Sequence, residues 1–317
     1  MKYAPPIISS AVAAQQIIAV QYRIMTNNAA VALKRPDPTS VHDMRVAMNR
    51  LRAALGLFQP LLAGEEVESI ARLLGDVRTV FGPARDAQLW VEFLNRLLRE
   101  KSISNPSQLQ QYVRDETIKM EQVMVDLQED FPHDTFEAVC HNLRVLIERD
   151  FPRFSNTSST CFALFSAGRI KKCFSSTLDE PDDTRAMSAE EMHQVRKRCK
   201  RLRYWAEFAA PVLDNLISEL VLRAKTVTSA FGAVHDLDVE RQLLKLSDFK
   251  NRAIVRDALH KARKTACHDA EKAWGKLRKR SFARTIQDDL TRPLLCAAIR
   301  HDDVAGDTKS QRSEKLK

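Results

Sequence analysis

Residues 42–52 read His42-Asp-Met-Arg45-Val-Ala-Met-Asn49-Arg50-Leu-Arg52, and residues 193–203 read His193-Gln-Val-Arg196-Lys197-Arg-Cys-Lys200-Arg201-Leu-Arg203. Aligned on the histidines, both have the form H-x-x-R-x-x-x-x-R-L-R. A second element follows each: Phe81-Gly82-Pro-Ala-Arg85-Asp86 and Phe231-Gly232-Ala-Val-His235-Asp236. The histidines are 151 positions apart and the Phe-Gly pairs 150, so two elements keep one register. This spacing implies a tandem duplication, and the duplicated feature is a basic helical surface.

On a helical wheel at about 100° per residue, His42, Arg45, Asn49 and Arg52 form one stripe. Met44, Met48, Leu51, Leu55 and Phe58 fall on the opposite side, the core face. His193, Arg196, Lys200 and Arg203 repeat the stripe, with Val195, Leu202 and Phe208 facing inward. Arg50 and its counterpart Arg201 sit beside the stripe, near the edge of the core face. Residues 193–203 carry six Lys/Arg and no carboxylate. Like charges at i, i+3 and i+4 destabilise a helix by a few tenths of a kcal/mol per pair, roughly. Two such helices point to a ligand that neutralises them. Guanidinium forks match phosphate oxygens, and lysines add point charge. Ser40 with Asp43, and Ser188 with Glu191, have capping-box spacing, which predicts each histidine in a first helical turn beside free amides.

Composition agrees. Of 317 residues only 8 are glycine, 44% are hydrophobic, and the net charge is +9, which together suit a mostly helical, well-cored chain with a polyanionic partner. The six cysteines (Cys140, Cys161, Cys173, Cys199, Cys267, Cys296) form no C-x-x-C pair. They read as reduced, mostly buried thiols, with no clustered metal ligands and no cofactor implied. The N-terminal stretch, interrupted by Gln15, Gln16 and Gln21, is neither a signal peptide nor a span, so the expected location is cytoplasmic.

Helical periodicity is expected over 8–34, onward from the first basic motif, and near 64–81, 84–101, 106–129, 134–150 and 160–176. It recurs near 189–211, 214–231, 234–246, 250–278 and 281–299. Pro83 is expected to close one helix and open the next. Polar linkers around 155–159 and 179–183 place a boundary between halves 1–153 and 154–300, and the tail 301–317 is expected to be disordered. The Phe-Gly element reads mainly as a helix break, with Asp86 and Asp236 capping the next helix or holding an arginine; the rival reading makes Arg85 and His235 ligands. Arg72, Arg78, Arg223 and Lys225 precede these turns and are secondary candidates for the same surface. Residues 250–280 hold eleven Lys/Arg against three carboxylates, mostly a solvated face, with Arg256, His260 and Arg263 on a stripe of their own.

These four segments, in this order and spacing, resemble the conserved histidine α-helical domain (CHAD) family, and the resemblance runs nearly to residue 300. It implies an all-α fold of two four-helix bundles related by pseudo-twofold symmetry, with basic residues lining a central cavity. It also implies binding of inorganic polyphosphate and association with polyphosphate granules. Carried onto this chain, the binding residues are His42, Arg45, Arg50 and Arg52, with His193, Arg196, Lys197, Lys200, Arg201 and Arg203. Asn49 departs from the family pattern, which is usually basic there, so the first half is expected to grip less tightly.

Rival readings fare worse. A metal-dependent phosphohydrolase built on His42-Asp43 or His235-Asp236 needs converging metal ligands, where this chain places arginines. No Gly-rich phosphate loop, nucleophile elbow or H-E-x-x-H motif is present, so no enzyme is implied. Specific nucleic-acid recognition lacks its motifs, since no aromatics interleave with the basic stripe. Nonspecific nucleic-acid binding, or a scaffold for acidic or granule-associated proteins, uses the same surface and remains the alternative. No membrane partner is implied.

Overall fold

The computed structural model describes residues 8–62, 64–99, 106–148, 160–213, 217–250 and 252–294. Ten α-helices account for nearly all of them: α1 Ser10–Lys34, α2 Pro38–Phe58, α3 Gly64–Arg99, α4 Pro106–Glu129, α5 His133–Glu148, α6 Phe162–Leu178, α7 Ala189–Leu213, α8 Ser218–Leu246, α9 Arg252–Arg278 and α10 280–294. A 3-10 turn at Gln59–Leu61 closes α2. The fold is all-α, as the composition and periodicity predict. The expected tail 301–317, the 155–159 linker, Cys296 and the end of the last helix lie outside the described residues.

Two helix breaks expected from sequence are absent. α3 runs unbroken through Gly82 and Pro83, and α8 through Gly232. An interior proline removes one backbone hydrogen bond and crowds the preceding turn, at a cost of about 3 kcal/mol. The buried stripe Ile70, Leu74, Val77, Phe81, Ala84 and Leu94 keeps one helical register on both sides of it and offsets that cost. Leu220, Ala224, Val227, Phe231, Val234 and Leu237 do the same in α8. Asp86 and Asp236 therefore cap nothing.

α1, α2 and α3 pack in sequence, with α3 also against α4 and α5, while α6, α7, α8 and α9 pack in sequence on the other side. Contacts between the two groups join α1 to α6, α2 to α7 and α3 to α8. The first of these is a short antiparallel bridge: the Ser10 amide donates to the Thr160 carbonyl at 2.8 Å, and the Phe162 amide to the Ile8 carbonyl at 2.9 Å. The Trp205 indole donates to the Ala53 carbonyl at 2.8 Å, and Phe58 stacks on Phe165 with centroids 5.9 Å apart. One continuous apolar cluster runs through both groups, so their relative placement is set by core packing.

Candidate functional site

α2 and α7 bring the two basic stripes to one place. α2 starts at Pro38, with Asp37 as its cap: the Asp37 carboxylate accepts from the Thr39 and Ser40 amides at 2.8 and 3.0 Å. Ser40 is thus the third residue of the helix and not its cap, because proline at the first position needs no amide partner. α7 is capped as expected, the Ser188 hydroxyl accepting from the Glu191 amide at 3.2 Å. In both helices the histidine is the fifth residue, just past the first turn. The expected contribution of free helix-end amides at His42 and His193 is therefore withdrawn.

A cavity of about 770 Å³ opens between α2, α3 and α7. α2 lines it with Asn49, Arg52 and Gly56, and α3 with Arg78 and Glu68. α7 contributes His193, Arg196, Lys197, Lys200 and Arg201. Among the described residues Glu68 is the one carboxylate that lines it. Burial pulls the Lys200 ammonium down to about 7, and Arg196, Arg78, Arg45 and Arg203 push it the same way. Arg45 and Arg52 are also lowered, first by burial and then by Arg78. The buried Nε atoms of Arg78 and Arg196 have no hydrogen-bond partner. Cations so placed cost free energy unless an anion meets them.

The sequence pattern of the CHAD domain matches residues 16–245. The chain belongs to the CHAD family. Among solved structures, the CHAD domain from the plant Ricinus communis superposes with a TM-score of 0.60 at 19% identity, over 92% of this chain and 96% of that one. PptA from Streptomyces chartreusis superposes with a TM-score of 0.57 at 16% identity, over 88% of this chain and 100% of that one. At such identity the likeness speaks for the fold. No curated protein sequence matches.

Within this CHAD domain the sequence-derived residues divide. Arg52, Arg78, His193, Arg196, Lys197, Lys200 and Arg201 line the cavity. Arg45 belongs to the same cluster, acting on Lys200, and the Asp86 carboxylate opposes the lowering of Arg45. His42 is lowered by burial, then by Arg85, with Arg45 and Lys200 adding to the effect and Asp43 opposing. Arg85 itself donates to Gln88 at 2.7 Å. His235 packs on His193, with ring centroids 5.6 Å apart, and lowers it further after burial does.

Other candidates are held elsewhere. Arg50 pairs with Glu207, donates to Gln21 at 3.2 Å and lies over the Tyr204 and Phe208 rings. It fastens α2 to α7 instead of lining the cavity. Glu207 also accepts from Arg203 at 2.8 Å, so these two arginines have the carboxylate that the basic motif lacks. Arg223 pairs with Glu219 and stacks over Phe282 at 3.8 Å. Arg263 is clamped by Asp238 at 2.7 and 3.1 Å, tying α9 to α8. Arg72, Lys225, Arg256 and His260 are exposed and do not line the cavity.

Asn49 turns back on its own helix, donating to the Arg45 carbonyl at 2.7 Å. Arg78 of α3 lines the same cavity as Asn49. Two arginines beside the cavity are not among the candidates drawn from the sequence. Arg198 lines the cavity while pairing with Glu180 at 2.6 Å. Arg169 donates to the Gly56 carbonyl at 2.8 Å and lies over Trp205. Glu207 is legible in the sequence as an i,i+4 partner of Arg203.

Among the described residues no group of three or more His, Cys, Asp or Glu side chains is placed to hold a metal, and no helix is long and apolar enough to cross a membrane. Cys140, Cys161, Cys173, Cys199 and Cys267 are free thiols, of which Cys173 and Cys199 are buried.

Proposed function

We propose that this protein binds inorganic polyphosphate, without chemistry, in the cavity between α2, α3 and α7. The observation that carries the reading is Lys200, on which burial and then Arg196, Arg78, Arg45 and Arg203 act most strongly, all of them against its charge. A chain of phosphates supplies the absent charge at a spacing that side chains from two facing helices can follow. Capture is electrostatic: arginines and lysines meet successive phosphate oxygens and release the counterions. Asn49 leaves α2 the weaker wall, and Arg78 makes up part of the deficit. Arg50 and Arg203 are held by Glu207 at the seam of α2 and α7, outside the cavity.

We also read residues 1–153 and 154–300 as halves of one unit descended from a duplication, in support of which the contacts between them join helices of the same rank. The reading carries a location with it, in the cytoplasm at polyphosphate granules.

The test is a competition at near-physiological salt. Labelled long-chain polyphosphate is bound, then challenged with duplex DNA, single-stranded RNA and ATP. Polyphosphate should hold at equal charge concentrations of the competitors. Equal competition by DNA or RNA would make the surface a generic polyanion binder and overturn the reading.

A further inference from the structure

Glu240 on α8 is 2% exposed, and its Oε2 has no hydrogen-bond partner. It lines a separate cavity of about 520 Å³ between α3, α8 and α9. α8 and α9 are joined through residues 247–251 and run antiparallel, and the Asp238–Arg263 clamp sets their register. Ala230, Ala233 and Leu237 on α8 therefore face Ala258, Ala262 and Ala266 on α9, making a trough walled by small apolar side chains. Glu240 stands at the Ala258 end and Asp269 at the Ala230 end. In that register Asp269 stands opposite residue 232, eight residues of helix from Glu240, or about 12 Å.

We infer that this trough binds a linear aliphatic polyamine, one terminal ammonium on Glu240 and the other on Asp269, with the methylene chain along the alanines. Small side chains leave room for a chain of methylene width, and the alkyl segments gain from apolar burial. Among the described residues four carboxylates line the trough (Glu92, Asp236, Glu240, Asp269) against two cations, Arg96 and Lys261. Those two cations are exposed and screened by water, whereas Glu240 is not. Burial raises the Glu240 carboxyl to about 8, with Arg96 opposing and Asp236 and Glu92 reinforcing. An arriving ammonium therefore displaces a proton. The trough is distinct from the basic cavity, sharing no lining residue with it.

The experiment is calorimetric titration of the full chain with spermine at pH 7, free of polyphosphate, in two buffers of different ionisation enthalpy. One spermine should bind with release of nearly one proton. Glu240→Gln should weaken binding at least tenfold and abolish the proton release. Ala233→Leu, which fills the trough and leaves every charge in place, should block binding even if the glutamine variant fails to fold. Lys200→Met in the basic cavity should leave spermine affinity unchanged. Absence of binding, or binding indifferent to both trough variants, overturns the inference; the second outcome would mark attraction to surface carboxylates. A trough closed by Arg96 swinging onto Glu240 would give the first.

Discussion

Arg196 lays its guanidinium against the bare backbone of Gly232: a β-carbon on that glycine would stand 3.3 Å from Nε and 3.5 Å from Nη2. The Phe-Gly element therefore seats an arginine of the opposing helix instead of ending its own. At the equivalent Gly82 a β-carbon meets nothing within 4 Å.

That difference separates two alanine substitutions. Gly82→Ala should raise stability by about 0.5–1 kcal/mol through helix propensity alone and leave polyphosphate affinity unchanged. Gly232→Ala should gain less, because Arg196 must shift by a few tenths of an ångström, and should lower affinity several-fold. Thermal unfolding beside polyphosphate titration measures both. Equal affinity in the two variants would detach Gly232 from the site.

Lys200 gives the pH dependence. Its folded value near 7 lies below the ordinary 10.5, so between those values the unfolded chain binds the extra proton. Stability of the free protein should accordingly rise with pH across that window, and Lys200→Met should flatten the rise. Bound phosphates favour the ammonium, so binding at pH 8 should take up protons and affinity should fall as pH climbs from 7 to 9. Denaturant unfolding at several pH values and titration in two buffers test the two halves of this prediction.

The basic stripes are legible because helical period alone places His42, Arg45 and Arg52 opposite Met44, Met48 and Leu51, whatever the rest of the fold does. The through-running of α3 is also written in the sequence, in the register that Leu74, Val77, Phe81 and Ala84 keep across Pro83. Turn chemistry at Gly82-Pro83 points the other way, and burial outweighs it. Asp37 does not stand out as a cap because Ser40 offers a similar spacing. What no local pattern carries is pairing across the chain. Arg50 meets Glu207 from 157 positions away, and only the packing of α2 on α7 reveals that this arginine is committed to it. That Arg78 of α3 shares a cavity with Asn49 of α2 is likewise a product of helix packing.

Arg78 should prove a binding residue that the fold tolerates at a cost. Its buried Nε is unpaired and it depresses Arg45, Arg52 and Lys200 together. Arg78→Ala should weaken polyphosphate binding and reduce the slope of log affinity against log salt by about 1, as expected when one phosphate is no longer neutralised. The free protein should keep or gain stability, since one buried like charge has gone. A loss of several kcal/mol on unfolding, with the slope unchanged, would make Arg78 a structural residue.

Glu207 supplies the opposite signature. It holds Arg50 of α2 and Arg203 of α7 at once, so Glu207→Gln leaves two cations at the seam without a counter-charge. The expected loss is about 1.5–3 kcal/mol, the range for hydrogen bonds to charged groups. Arg50→Gln in the same background should recover part of it, because the uncompensated cation is removed, and a double-mutant cycle isolates the pair. Polyphosphate affinity should change little, since neither Glu207 nor Arg50 lines the cavity. If affinity rises sharply in Glu207→Gln, the freed arginines have swung into the site, and Glu207 then acts as a brake on binding as well as a clasp between α2 and α7.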